Sequence, residues 1–282
     1  MVTEVTGVTG LTGLTGQREL NLKKTFECGQ CFRWEQNDDD VWRGVVNGRA
    51  AKLWMQSGQI RMISSGDSAM WHDYFDLERD YSALKFENGG EFFDRCVSYG
   101  EGIRILRQDA WETLCSFIIS QCNNIPRIKK IVDTLCKAFG ERFEFDGEQF
   151  FAFPDADKIS ALEPEDLNVL RCGYRAPYII GAARAVASGE LDLDALTENG
   201  CRSEALSALK KLNGVGDKVA NCVILYGLNI MSGFPVDTWM RRALKEHFPP
   251  GFDPKSLGSC AGIAQQYIFY YARENHLTRH VI

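Results

Sequence analysis

The sequence predicts an α+β chain: a small N-terminal antiparallel β-sheet domain, then a mainly α-helical domain in two lobes with a cleft between them. Three observations carry this prediction. Apolar runs flank the dipeptide Asn47-Gly48, the strongest short signal for a hairpin. Beyond about residue 66 the apolar period lengthens to that of a helix. The 282 residues are 45% hydrophobic and include 17 Phe, 9 Tyr and 6 Trp, enough to bury one large core or two ordinary ones and too many for a disordered chain.

Residues 1–18 repeat Val-Thr-Gly and Leu-Thr-Gly triplets; this low-complexity tail reads as mobile or as an early edge strand and is assigned no function. Residues 19–98 form the β-rich domain. Val41–Val46 leads into the turn at Asn47-Gly48 and on to Lys52–Met55, and a second turn at Gln56–Gln59 leads into Ile60–Ile63. Residues 99–282 form the helical domain. Asp109 and Glu112 stand three apart as a capping box, ahead of Trp111, Leu114, Cys115 and Ile118 on one helix face. Further helices fit 127–139, 177–188, 203–211, 218–226, 238–247 and 259–275.

No apolar run reaches the roughly 18 residues of a membrane span, so no membrane partner is expected. The first residues lack the basic start and apolar stretch of a signal peptide. The ten cysteines are therefore expected reduced, in a cytoplasmic, prokaryote-like and nucleoid-associated setting. Cys28-x-x-Cys31 invites a zinc or redox reading, but a structural zinc site needs about four ligands. The four histidines (72, 247, 276, 280) are scattered, so no metal is expected. The net charge of −6 argues weakly against nucleic acid, yet residues 202–245 carry seven Lys/Arg against three acids. With no heptads and no evident dimer surface, a monomer is expected.

The chemistry concentrates in residues 209–227, LKKLNGVGDKVANCVILYG. One helix ends near Leu212, Gly214-Val215-Gly216 turns sharply, and a second helix starts near Asp217. The unpaired N–H groups of that second helix form a phosphate site without basic side chains. Alone, the pattern fits an ordinary αα-hairpin as well as a helix-hairpin-helix grip on DNA. Lys218 sits in the first turn, where the macrodipole disfavours a positive charge, a setting that suits an amine nucleophile. Alone, it reads as a solvated surface lysine, as most lysines do. Asp237, in Phe234-Pro235-Val236-Asp237-Thr238, is placed to cap the next helix.

Taken together, GVGDKVA and PVD resemble the helix-hairpin-helix (HhH-GPD) DNA glycosylase superfamily, in which this hairpin, a Gly/Pro-rich loop and an aspartate recur in order. Within it, the 8-oxoguanine DNA glycosylase/lyase branch is most similar, over about residues 19–275. Further residues carry the resemblance: Cys28 to Trp34, Arg107-Gln108-Asp109, Asn123-Asn124-Ile125, Gly173-Tyr174-Arg175-Ala176, and Ala264-Gln265 followed by Phe269. Endonuclease III-like relatives bind an iron–sulfur cluster through four C-terminal cysteines. Here only Cys260 lies beyond Cys222, so no cluster and no cofactor are expected.

The resemblance implies a bifunctional DNA glycosylase/AP lyase of base excision repair, acting on double-stranded DNA that contains 8-oxoguanine, preferably opposite cytosine. The base would be flipped into a pocket. Lys218 would attack the sugar C1′ and form a Schiff base, β-elimination would nick the strand, and Asp237 would stabilise charge on the sugar. Gln265 and Phe269, four apart on one helix face, would bond and stack on the base, with Cys222 covering its other side. The Gly29 carbonyl would read the lesion's N7. Tyr174 resembles the family's wedge, and Arg127 and Arg175 the pair that bonds the orphaned cytosine, with Asn123 beside them. The sequence departs from the family at Cys122, where relatives often have asparagine, and at Trp239, where some have a polar phosphate contact. Two alternatives stay open: a glycosylase of the same fold with other damaged-purine specificity, and a non-catalytic DNA-binding module.

Overall fold

The computed structural model describes residues 6–10, 20–84, 86 and 90–275. Its order is β1 (Thr6–Gly10), α1 (Leu22–Glu27), β2 (Trp34–Gln36), β3 (Trp42–Val46), β4 (Arg49–Gln56), β5 (Gln59–Ser64), α2 (Ser68–Tyr74), α3 (Gly90–Gly100), α4 (Ala110–Ile119) and α5 (Ile125–Phe139). There follow β6 (Arg142–Phe145), β7 (Glu148–Phe151), α6 (Ala156–Ser160), α7 (Ala176–Ala187), α8 (Leu193–Asn199), α9 (Arg202–Leu209), α10 (Asp217–Tyr226), α11 (Thr238–His247) and α12 (Ala261–Glu274).

β2 to β5 form an antiparallel meander, and β1, from the repeat tail, pairs along β5 as an edge strand. The rest of residues 1–18 lies outside the described residues. Asn47-Gly48 and Ser57-Gly58 both adopt positive φ at their two central positions, the backbone whose twist matches the flanking strands. Trp34, Trp42, Leu53, Met62, Trp71 and Phe75 are buried with Phe26 of α1, so sheet and helices share one aromatic core. Phe26 stacks on Trp34 at 4.3 Å between ring centroids. Two further hairpins, β2–β3 and β6–β7, were not expected from the sequence, although the Asp146-Gly147 turn of the latter carries the same signal.

A second, larger core unites the helices. α10 packs against α4, α12 against α3 and α11. Between the two cores runs the segment 27–31, with Cys28 in the helical core and Cys31 in the aromatic one. Burial pushes the Cys28 thiol up to about 12 and the Cys31 thiol higher still. The CxxC pair is thus packing material at a seam. No described helix is long and apolar enough to cross a membrane.

The expected capping box at α4 forms only by half. Asp109 accepts from the Glu112 N–H at 2.7 Å, but the Glu112 carboxylate turns to Arg33 at 3.4 Å instead of closing the box. The Arg33 guanidinium, only 10% exposed, draws the Glu112 side chain away from the Asp109 N–H.

Candidate active site

The helix-hairpin-helix forms as the sequence demands. α9 ends at Leu209, and Gly214 adopts φ +81. A Cβ there would lie 2.4 Å from the Tyr178 ring, so glycine is required both for its backbone angle and for close approach. Val215 is buried beneath the turn. Gly216 is the N-cap of α10 and supplies no side-chain acceptor, so the first N–H groups of α10 are left for an outside anion.

Lys218 rises from the first turn of α10. Its Nζ donates to Ser120 Oγ at 3.1 Å and lies 4.8 Å from the centroid of the Phe117 ring. Ser120 in turn donates to the Phe117 carbonyl at 2.8 Å, which commits its only proton and leaves its lone pairs to the lysine. Asp237 caps α11 by accepting from the Met240 N–H at 2.8 Å, as its place in the sequence predicts. Its approach strand is tied down by Asn221, whose Oδ1 accepts from the Phe234 N–H at 3.2 Å and from Arg202 at 2.9 Å.

One pocket gathers Gly29, Phe117, Lys218, Cys222, Tyr226, Pro235, Asp237, Gln265 and Phe269. All six residues read from the sequence as catalytic or base-binding therefore line a single cavity, although they come from α1's end, α10, α11's cap and α12. Burial pushes the Cys222 thiol up to about 11, against the pull of the neighbouring Lys218. Gly29 adopts φ +83, and a Cβ there would come within 3.3 Å of Phe269. Phe117, Tyr226 and Pro235 were not singled out from the sequence; the first two are apolar-face residues of α4 and α10, and only the packing of those helices turns them toward Lys218. Tyr226 stacks on Phe117 with ring centroids 5.5 Å apart.

A second group surrounds the exposed Tyr174. Tyr174 is 54% exposed, with the Arg175 guanidinium 4.4 Å from its ring centroid. Arg175 itself is only 6% exposed, and it donates to the carbonyls of Gln121, Cys122 and Cys172. It thereby fixes the loop 120–124. Arg127 is exposed and makes one long bond, 3.4 Å, to the Arg171 carbonyl. Asn123 donates back to the Ile119 carbonyl at 3.3 Å. Cys122 is exposed at φ +49, a left-handed conformation that asparagine adopts more readily than cysteine. Trp239 is half-buried on α11.

With this geometry in hand, comparisons with known proteins agree on one family. Residues 14–114 match the model of the 8-oxoguanine DNA glycosylase N-terminal domain, and residues 115–256 match that of HhH-GPD superfamily base excision DNA repair proteins. The chain is similar to the N-glycosylase/DNA lyase of Saccharomyces cerevisiae, at 36% identity over 82% of this chain and 69% of that one. It is similar to N-glycosylase/DNA lyase OGG1 of Arabidopsis thaliana, at 33% identity over 78% of this chain; it spans 64% of that relative's length. Among solved structures, the 8-oxoguanine glycosylase/lyase of Clostridium acetobutylicum superposes with a TM-score of 0.82 at 34% identity, covering 92% of this chain and 93% of that one. That enzyme was solved with double-stranded DNA containing cytosine opposite 8-oxoguanine.

Proposed function

This chain belongs to the HhH-GPD superfamily of base excision DNA repair proteins, and from that membership we propose that it is a bifunctional glycosylase/AP lyase that removes 8-oxoguanine from duplex DNA. One observation carries the reading: an amine, a carboxylate, an amide and a phenyl ring line the same pocket, beside a hairpin whose glycines open a helix N-terminus to a phosphate.

The flipped base enters between Phe269 and Cys222, with the Gln265 amide facing its Watson–Crick edge. The Lys218 amine attacks C1′, the glycosidic bond breaks, and its electron pair leaves with the base. Asp237 stabilises the positive charge that builds on the sugar. Opening of the sugar ring gives a Schiff base, loss of the C2′ proton follows, and the 3′ C–O bond breaks to nick the strand. Tyr174 fills the gap left in the duplex, and Arg127 and Arg175 bond the opposite cytosine, Arg175 while it braces the loop 120–124. The enzyme works as a monomer.

Borohydride reduction on a duplex holding one 8-oxoguanine tests this directly. The expected result is a covalent protein–DNA adduct together with strand nicking. Excision without an adduct would mean a monofunctional glycosylase; binding without excision would mean a non-catalytic module.

A further inference from the structure

Beside the pocket, four consecutive carbonyls mark the end of α1, at Glu27, Cys28, Gly29 and Gln30. Three of them are occupied, two by side chains of α12 and one by the segment ahead of α4. Arg273 Nη2 donates to Glu27 at 2.6 Å, Gln266 Nε2 to Cys28 at 3.0 Å, and Gln108 Nε2 to Gln30 at 2.8 Å. The Gly29 carbonyl receives no hydrogen bond among the described residues.

The middle donor is held most firmly. Gln266 is fully buried in α12, and its Oε1 accepts from the Tyr226 hydroxyl at 2.6 Å. A carbonyl can only accept, so the amide must present its NH2 to Cys28 and its oxygen to Tyr226. Tyr226 has one proton to give, and the 2.6 Å bond takes it. Its 3.4 Å approach to Gln265 is secondary, which leaves that amide oxygen to the base.

We propose that Gln266 is a positioning residue for lesion discrimination, and that with Arg273 and Gln108 it fixes the Gly29 peptide by occupying the carbonyls on either side. The inference rests on the 8-oxoguanine reading above. The lesion carries N–H at N7 where guanine carries a lone pair. An acceptor that can swing aside rejects guanine weakly, because the clash relaxes; an acceptor that cannot move leaves guanine with a buried repulsive pair. Glycine at φ +83 has no Cβ to restrain its own backbone, so its precision has to come from its neighbours.

The test compares 8-oxoguanine with its analogue in which carbon replaces N7, which removes the N–H donor; reading each variant against wild type cancels the analogue's own change in reactivity. Single-turnover excision of both is measured for the wild-type chain, Gln266→Met and Gln108→Met, alongside β-elimination on an abasic duplex and thermal melting. Gln266→Met is expected to lower the preference for authentic 8-oxoguanine roughly tenfold, the factor made by about 1.4 kcal/mol. Gln108→Met should lower it less, and both should leave cleavage of the abasic duplex unchanged. Full preference in a folded Gln266→Met chain overturns the proposal, as does a loss that cleavage of the abasic duplex shares in proportion. If Gln266→Met does not fold, an unchanged preference in Gln108→Met overturns it. A wild-type chain that excises both bases equally would instead remove the Gly29 reading, and one that excises neither would remove the glycosylase reading.

Discussion

Lys218 has two neighbours that any replacement must reckon with, the Ser120 hydroxyl and the Phe117 ring. Glutamine keeps most of the length and an N–H for Ser120 but has no nucleophilic lone pair. Lys218→Gln should therefore bind 8-oxoguanine duplex with near wild-type affinity and give neither excision nor a borohydride adduct. An adduct in this variant would move the nucleophile to Lys210 or Lys211. Asp237 does two jobs with one carboxylate, since its Oδ1 already holds the Met240 N–H. An amide caps as well as a carboxylate, so Asp237→Asn should melt within a degree or two of wild type while losing about a hundredfold or more in rate. A large drop in melting temperature with intact turnover would make Asp237 a cap alone. Both residues were legible because a motif fixes their spacing. Phe117, Ser120, Tyr226 and Asn221 were not, because nothing local separates a core residue from a pocket wall; the choice is made when α10 settles on α4.

At the scale of the element, hairpins and caps were the most readable features, since a turn or cap is a few residues with their own chemistry. Glu112 shows the limit: its local pattern says capping box, but Arg33, 79 positions earlier, takes the carboxylate. Burial pushes this carboxyl up to about 7 from its ordinary 4.5, against the opposing pull of Arg33. Between those values the folded chain keeps a proton that the unfolded chain has released, so the native state loses stability as pH rises through that window. Glu112→Gln is neutral throughout. The melting temperature of the variant minus that of wild type should climb from pH 4.5 to 7 and level off above. A difference that does not change with pH would show that the carboxyl titrates alike in both states.

For the whole molecule, the β-then-α order was legible from the change of period, whereas the seam at 27–31 was not, because it serves both cores at once and belongs to neither pattern. The charge balance needed the structure too. The chain carries −6 overall, yet the hairpin region is locally basic, and its lysines are not equivalent. Lys210 already pairs with Asp217 at 2.6 Å, while Lys211 is exposed with no ion pair among the described residues. Each phosphate neutralised on a duplex adds about 0.9 to the slope of log K against log salt. Lys211→Ala should lower that slope by about one and weaken damaged and undamaged duplex alike. Lys210→Ala should change it less, because Asp217 competes with the phosphate for the same ammonium, and removing the lysine frees a carboxylate beside the backbone. Salt titrations of both variants check the order. If Lys210→Ala has the larger slope change, the pair opens on binding and Asp217 turns to the solvent. If neither variant changes the slope, the grip on DNA comes from the N–H groups of α10 and not from the charges around them.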